Sequence, residues 1–298
     1  MTRNRPRAML LLALGVTAVL AAACSGSAGS SGETGASATA TATAESAPNG
    51  PTVGSPVTVA PPPEGVVAPP DWLGTRPLPT GPDGIVPPQT TPPELVERRF
   101  TTVDTMPPPG SAFVSTVNPL TGDALERSTW SPQCPVGSDQ LRYVTVSFWG
   151  FDDRPHTGEL IVHADVADDV VDVFGRLYDE QFPIEEMRIT TDADLAADPT
   201  GDGNNSGSFV CRPVTGGGGF SEHAYGLAVD INPFQNPYLK GDRVIPELAT
   251  SYGDRTRIRP GMMVADSPPV EAFAAVGWSW GGNWDTLKDY QHFSLNNR

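Results

Sequence analysis

The chain has 298 residues, with 35 Asp and Glu against 19 Lys and Arg, a formal charge of −16 and 32 prolines. That length holds one domain of ordinary size plus an appended segment. So acidic a surface argues against nucleic acid or an anionic bilayer as an electrostatic partner.

The N-terminus reads as a targeting segment. Arg3, Arg5 and Arg7 precede an apolar run from Ala8 to Ala23. About sixteen residues are short of the roughly 20 a membrane span needs. Residues 1–23 therefore read as a secretory signal peptide. Leu20-Ala21-Ala22-Ala23-Cys24 resembles a bacterial lipobox with its Leu one place early. Lipidation would make Cys24 the mature N-terminus and anchor the protein to a membrane; ordinary cleavage near Ala23 is the alternative. Cleavage there removes three Arg and no acid, taking the charge from −16 to −19.

Residues 24–110 read as a disordered tether. Ser25 to Asn49 is Ala, Ser, Thr and Gly, and Pro48 to Pro109 carries 18 of the 32 prolines. Proline removes backbone donors and fixes φ. Such a segment is expected to bury too little apolar area to offset its ordering entropy. As a coil it would span roughly 50 Å.

Residues 111–298 read as one α+β domain around a central antiparallel sheet. Leu141 to Trp149 alternates and is rich in β-formers, which predicts a strand. Gly158 to Ala164 predicts a second. Val166, Val170, Val173, Phe174 and Leu177 share one face of a helix over Asp165 to Gln181. Pro183 to Thr190 suggests a strand, and Thr191 to Gly207 a polar loop. Pro269 to Val276 predicts a short helix that Gly277 ends. Strands first and last with helices between give the α+β class. With Cys24 set aside, Cys134 and Cys211 remain. In an exported chain they read as one disulfide, two free thiols being the alternative.

Two late segments carry the chemistry. One runs Ser221-Glu222-His223-Ala224-Tyr225-Gly226-Leu227-Ala228-Val229-Asp230, the other Trp284 to Phe293. His223, Asp230 and His292 offer two imidazoles and a carboxylate to a zinc ion, leaving a fourth position open. Period-two alternation puts Val229 and Ile231 toward the core and Asp230 opposite. Asp289, just before the strand of His292, is placed to act as general base.

Ser-x-His-x-x-Gly-x-Ala-x-Asp followed by Asp-x-x-His resembles the zinc peptidases of the D-alanyl-D-alanine carboxypeptidase type (the M15 group), particularly its VanY-like, lysin-type subgroup with L-alanyl-D-glutamate endopeptidases. The resemblance covers about Ser131 to Phe293. It implies the fold of those DD-peptidases and of Hedgehog domains. It also implies zinc on His223, Asp230 and His292, and Asp289 taking a proton from the attacking water. Arg212 would stabilise the oxyanion or grip a substrate carboxylate, a structural ion pair being the alternative. Ser221 would orient the loop. The implied partners are peptidoglycan stem peptides, cut at D-Ala-D-Ala or L-Ala-D-Glu by a monomer outside the cytoplasm. A wall-binding module with structural zinc is the competing reading. Asp285 reads as a surface acid, His156 and His163 as surface or core residues. Trp278, Trp280 and Trp284 read as core, with one ring at the cleft. Gly216 to Gly219 lacks the Lys-Ser/Thr of a phosphate loop.

Overall fold

A computed structural model describes residues 61–82, 84–214 and 218–298. The expected signal peptide, Cys24 and the first part of the tether lie outside the described residues, as do Gly216 and Gly217. In chain order the strands are β1 (Ser115–Pro119), β2 (Leu141–Trp149), β3 (Pro155–His163), β4 (Glu186–Met187), β5 (Asn205–Ser206), β6 (Ala228–Asp230), β7 (Tyr238–Lys240), β8 (Arg243–Ile245), β9 (Ser279–Trp280), β10 (Lys288–Asp289) and β11 (His292–Ser294). The helices are α1 (Pro93–Val96), α2 (Gly122–Arg127), α3 (Ala167–Asp179), α4 (Asp192–Ala196) and α5 (Pro268–Ala275).

The class is α+β with antiparallel sheets and few helices, as expected. The single central sheet is instead divided. Three antiparallel sheets run β1-β2-β3, β10-β7-β8 and β6-β11-β9, and β4-β5 is a parallel pair. The division has a local cause. After β6 the buried Asn232 takes a left-handed φ of 44°, which ends the strand. Its side chain repays that strain by accepting from the Glu185 N–H (3.1 Å) and donating to the Pro183 carbonyl (2.8 Å).

The main core lies between α3, α5 and the strands that carry the site. Val170, Val173, Phe174 and Leu177 of α3 pack with Val144 and Val146 of β2, with Phe273 of α5, and with Val229 and Phe293. Phe273 stacks on Phe293 with ring centroids 4.0 Å apart. Each such buried side chain contributes about 1.5–3 kcal/mol. The helix follows the sequence expectation closely, starting after a 3-10 turn at Ala164–Val166. Of the strand suggested over Pro183 to Thr190, only Glu186–Met187 forms. The polar loop that follows contains the short α4, opened by a capping box of Thr191 and Asp194.

The tether is corrected for residues 61–110. Described residues 61–110 belong to the same compact unit as residues 111–298. Leu78, Val86, Leu95 and Phe100 form a second core with Phe234, Leu248, Ala249, Tyr252 and Met262. Leu95 and Phe100 are fully buried. Arg98 is buried too, donating to both oxygens of Glu185 (2.6 and 2.9 Å) and to the Asp202 carbonyl (2.7 Å). Thr91 donates to the Leu248 carbonyl at 2.6 Å. Frequent prolines keep helices and ladders short, but they do not forbid an extended strap whose few large side chains are borrowed by another core.

Candidate active site

Two of the three predicted donors are cross-strand neighbours. In the register of β6 and β11, His292 stands directly opposite Asp230, and Phe293 opposite Val229. Val229 and Phe293 point into the core, so Asp230 and His292 emerge on the other face. His223 arrives on a 3-10 turn, Glu222–Tyr225. Ser221 opens that turn, its Oγ accepting the His223 N–H at 3.4 Å. Gly226 closes it at φ 67°, where a Cβ would meet the His163 nitrogen at 2.6 Å.

One ligand atom from each of His223, Asp230 and His292 lies within 4.8 Å of the others. The proton positions follow from the outer partners. The Ser208 carbonyl lies 2.6 Å from His223 Nδ1, and a carbonyl can only accept, so Nδ1 carries the proton. The main-chain oxygen of Arg298, 3.2 Å from His292 Nε2, fixes that ring in the same way. The inner nitrogens then face Asp230, His223 Nε2 at 3.3 Å from Oδ2 and His292 Nδ1 at 2.9 Å from Oδ1. Neutral rings would turn lone pairs toward a carboxylate. Only a cation between them, or extra protons on the rings, makes that arrangement favourable. The donor set is therefore able to hold a metal ion, with outer-shell carbonyls of the kind that orient ligating imidazoles.

The two carboxylates differ. Burial opposes the Asp230 charge, but the imidazoles of His223 and His292 outweigh it and hold the carboxyl well below its usual range. Burial lowers His292, and the hydrogen bond with Asp230 more than restores it, leaving it raised. Asp289 has no such partner. Burial, then the Asp230 charge, push it up to about 6. Its Oδ1 is sealed from solvent and has no hydrogen-bond partner. Asp289 does not extend the strand of His292, as expected from sequence. It lies on β10, opposite Tyr238 of β7. Gly281 lets it in, since a Cβ there would sit 2.6 Å from the Asp289 carbonyl oxygen.

His223, Asp230, Asp289 and His292 share one cavity of about 600 Å³ with Arg212. Arg212 makes no ion pair among the described residues, and its Nη1 reaches only the Pro213 carbonyl at 3.4 Å. It follows Cys211, whose disulfide with Cys134 is formed. Trp278 and Trp280 are buried, while Trp284 lines the cavity with its ring 5.5 Å from that of His292. Asp285 is exposed. His156 is a core residue held between Asp104 (2.7 Å) and Asp152 (2.9 Å), and His163 caps a turn through the Asp165 N–H. Sequence reasoning missed the β7–β8 wall of the cavity. The signal was present, since Tyr238-Leu-Lys and Arg-Val-Ile flank Gly241-Asp242, a hairpin pattern.

The spacing and the geometry now coincide on one segment. Residues 215–295 match the family model of the D-alanyl-D-alanine carboxypeptidases. Ser221, His223, Asp230, Asp289 and His292 all fall inside the matched stretch. Arg212 and both disulfide cysteines precede it. The carboxypeptidase match specifies neither the VanY-like nor the lysin-type subgroup. No solved structure matches the chain.

Proposed function

We propose that the protein is a zinc-dependent peptidase that hydrolyses peptidoglycan stem peptides outside the cytoplasm. The observation that carries this reading is the joint presence, lining one cavity, of the His223–Asp230–His292 donors and the separate carboxylate of Asp289. Two imidazoles and one carboxylate with an open fourth position fit a catalytic zinc. When bound there, zinc supplies Lewis acidity to a carbonyl and makes water acidic near neutral pH.

The chain's own groups do the rest. The Asp289 carboxylate accepts a proton from the attacking water and delivers it to the departing amine. Its burial disfavours charge, whereas a cation held by Asp230 favours it, so the carboxyl is poised between the two. Arg212, which has no ion pair among the described residues, grips a substrate carboxylate or the developing oxyanion. The Ser208 and Arg298 oxygens keep both rings in the tautomer that presents a lone pair inward. The bond cut is D-Ala-D-Ala or L-Ala-D-Glu. Lipidation at Cys24 would hold the domain at the outer membrane face, within reach of the wall.

The test is digestion of purified muropeptides with and without a chelator, read by mass spectrometry. Chelator-sensitive cleavage is expected, and the fragment masses name the bond. No chelator-sensitive cleavage, or undiminished cleavage by Asp289→Ala, would favour a wall-binding module instead.

A further inference from the structure

The hairpin β7–β8 walls the cavity with an unusual pair. Its register sets Tyr238 opposite Ile245 and Lys240 opposite Arg243. Residues two apart share a face, so these four point one way and Leu239 and Val244 the other. All four line the cavity. Like charges directly opposite each other on a hairpin destabilise it. Neither cation makes an ion pair or a side-chain hydrogen bond among the described residues. Arg243 Nε is moreover sealed from solvent with no partner, which is costly for a charged donor.

Anionic partners are not scarce in a chain with 35 acids. Arg98, Arg127 and Arg188 each hold a carboxylate at 2.6–2.8 Å. Lys240 and Arg243, by contrast, stand side by side on the cavity wall without an ion pair among the described residues. Their place is also defined. Tyr238 lies opposite Asp289, and Lys240 is two residues further along the same face. Two strand residues span about 7 Å, which is also the reach of two residues of an extended peptide.

We propose that Lys240 and Arg243 bind a free carboxylate of the peptide substrate about two residues from the scissile bond. The enzyme then prefers stem peptides with a free carboxylate there over their carboxamide forms. The guanidinium grips such a group in two-pronged fashion, and the ammonium adds a point charge. This rests on the peptidase reading above, deepening it from reaction class to substrate class.

The experiment uses the full zinc-loaded chain and L-Ala-γ-D-Glu-diaminopimelate-D-Ala-D-Ala. Each carboxylate away from the cut bond is replaced in turn by a carboxamide. One replacement is expected to raise the wild-type KM about tenfold with a smaller change in kcat. In the double variant Lys240→Gln, Arg243→Gln, the parent peptide should show that raised KM and the carboxamide should cost nothing further. A double variant that still discriminates, or that loses equally on every peptide, overturns the proposal. Titration of the same peptides into Asp289→Asn by calorimetry, with and without the two Gln substitutions, gives a readout independent of turnover. If the wild type cleaves none of them, the peptidase reading fails. Carboxylate-dependent binding that the Gln pair abolishes would still support the subsite, and its absence would refute it. Relief of like-charge repulsion predicts that Lys240→Gln melts at or above the wild-type temperature, so misfolding is separable from lost recognition.

Discussion

Arg98→Leu is expected to destabilise the whole domain, although Arg98 lies in a stretch that composition marks as a spacer. The substitution strips the Glu185 carboxylate of the Nε and Nη2 donors at 2.6–3.2 Å. Both side chains are nearly inaccessible, at 2 % and 9 %, so water cannot take the place of the guanidinium. A buried carboxylate left alone costs about 3–5 kcal/mol. At about 2–4 °C per kcal/mol for a domain of this size, the melting temperature should fall by about 6–20 °C. Arg98→Leu combined with Glu185→Leu should recover most of the loss, because two apolar side chains leave no charge stranded. The control is Val103→Ala, at a position 71 % exposed in the same stretch, which should stay within about 0.5 kcal/mol. Circular dichroism melts of the three variants decide it. If Arg98→Leu behaved like Val103→Ala, residues 61–110 would be a tether after all, and the second core would not be part of the cooperative unit.

Acid stability should depend on Glu159. Burial works to raise its carboxyl, but hydrogen bonds from Arg127 (2.7 and 2.8 Å) and Tyr143 (2.8 Å) outweigh it and hold the group below its ordinary 4.5. A folded value below the unfolded one stabilises above about pH 4.5, and that stability is lost as pH falls through the folded value. The melting curve of Glu159→Gln should therefore be less stable near neutrality and flatter on the acid side; a parallel acid limb would contradict this. Reducing Cys134–Cys211, 77 residues apart, should cost about 4 kcal/mol by loop entropy, and a melting shift under about 2 °C on adding a phosphine would be inconsistent with it. Gly281→Ala places a methyl 2.6 Å from the Asp289 carbonyl oxygen and 2.9 Å from its Cβ, so the general base must move. Cleavage should fall about 10²-fold with zinc content unchanged, since small misplacements cost that much; loss of zinc instead would implicate the ligands.

The site was more legible in the sequence than the fold around it. His223, Asp230 and His292 are local in spelling, and period-two alternation already placed Asp230 away from the core. What spacing did not carry was the sheet to which Asp289 belongs. Two residues, Tyr290 and Gln291, separate it from β11, and its partner Tyr238 lies 51 positions earlier on a hairpin that stands apart from β6. The helix α3 was legible because five apolar residues repeat at its period. The strap was not, because Leu95 and Phe100 have no period of their own. Their burial depends on Phe234, Tyr252 and Met262, which contribute from far along the chain. Composition reports whether a segment can make its own core. It is silent on whether the segment completes another one.

The division of roles between the two acids follows from the same long-range pairing. Asp230 is fastened opposite His292 and faced by His223, so it keeps its charge and serves as a ligand. Asp289 comes from a different sheet and meets neither imidazole as a hydrogen-bond partner, so its charge is opposed by burial and by Asp230. Two carboxylates whose surroundings push their proton affinities apart are suited to different tasks, one to hold a cation and one to move a proton. Had Asp289 continued β11, alternation would have carried it one residue off the face of His292, toward the side of Gln291 and Phe293. The break at Tyr290 and the paired strand β7 bring the Asp289 carboxylate to the same cavity as the metal donors.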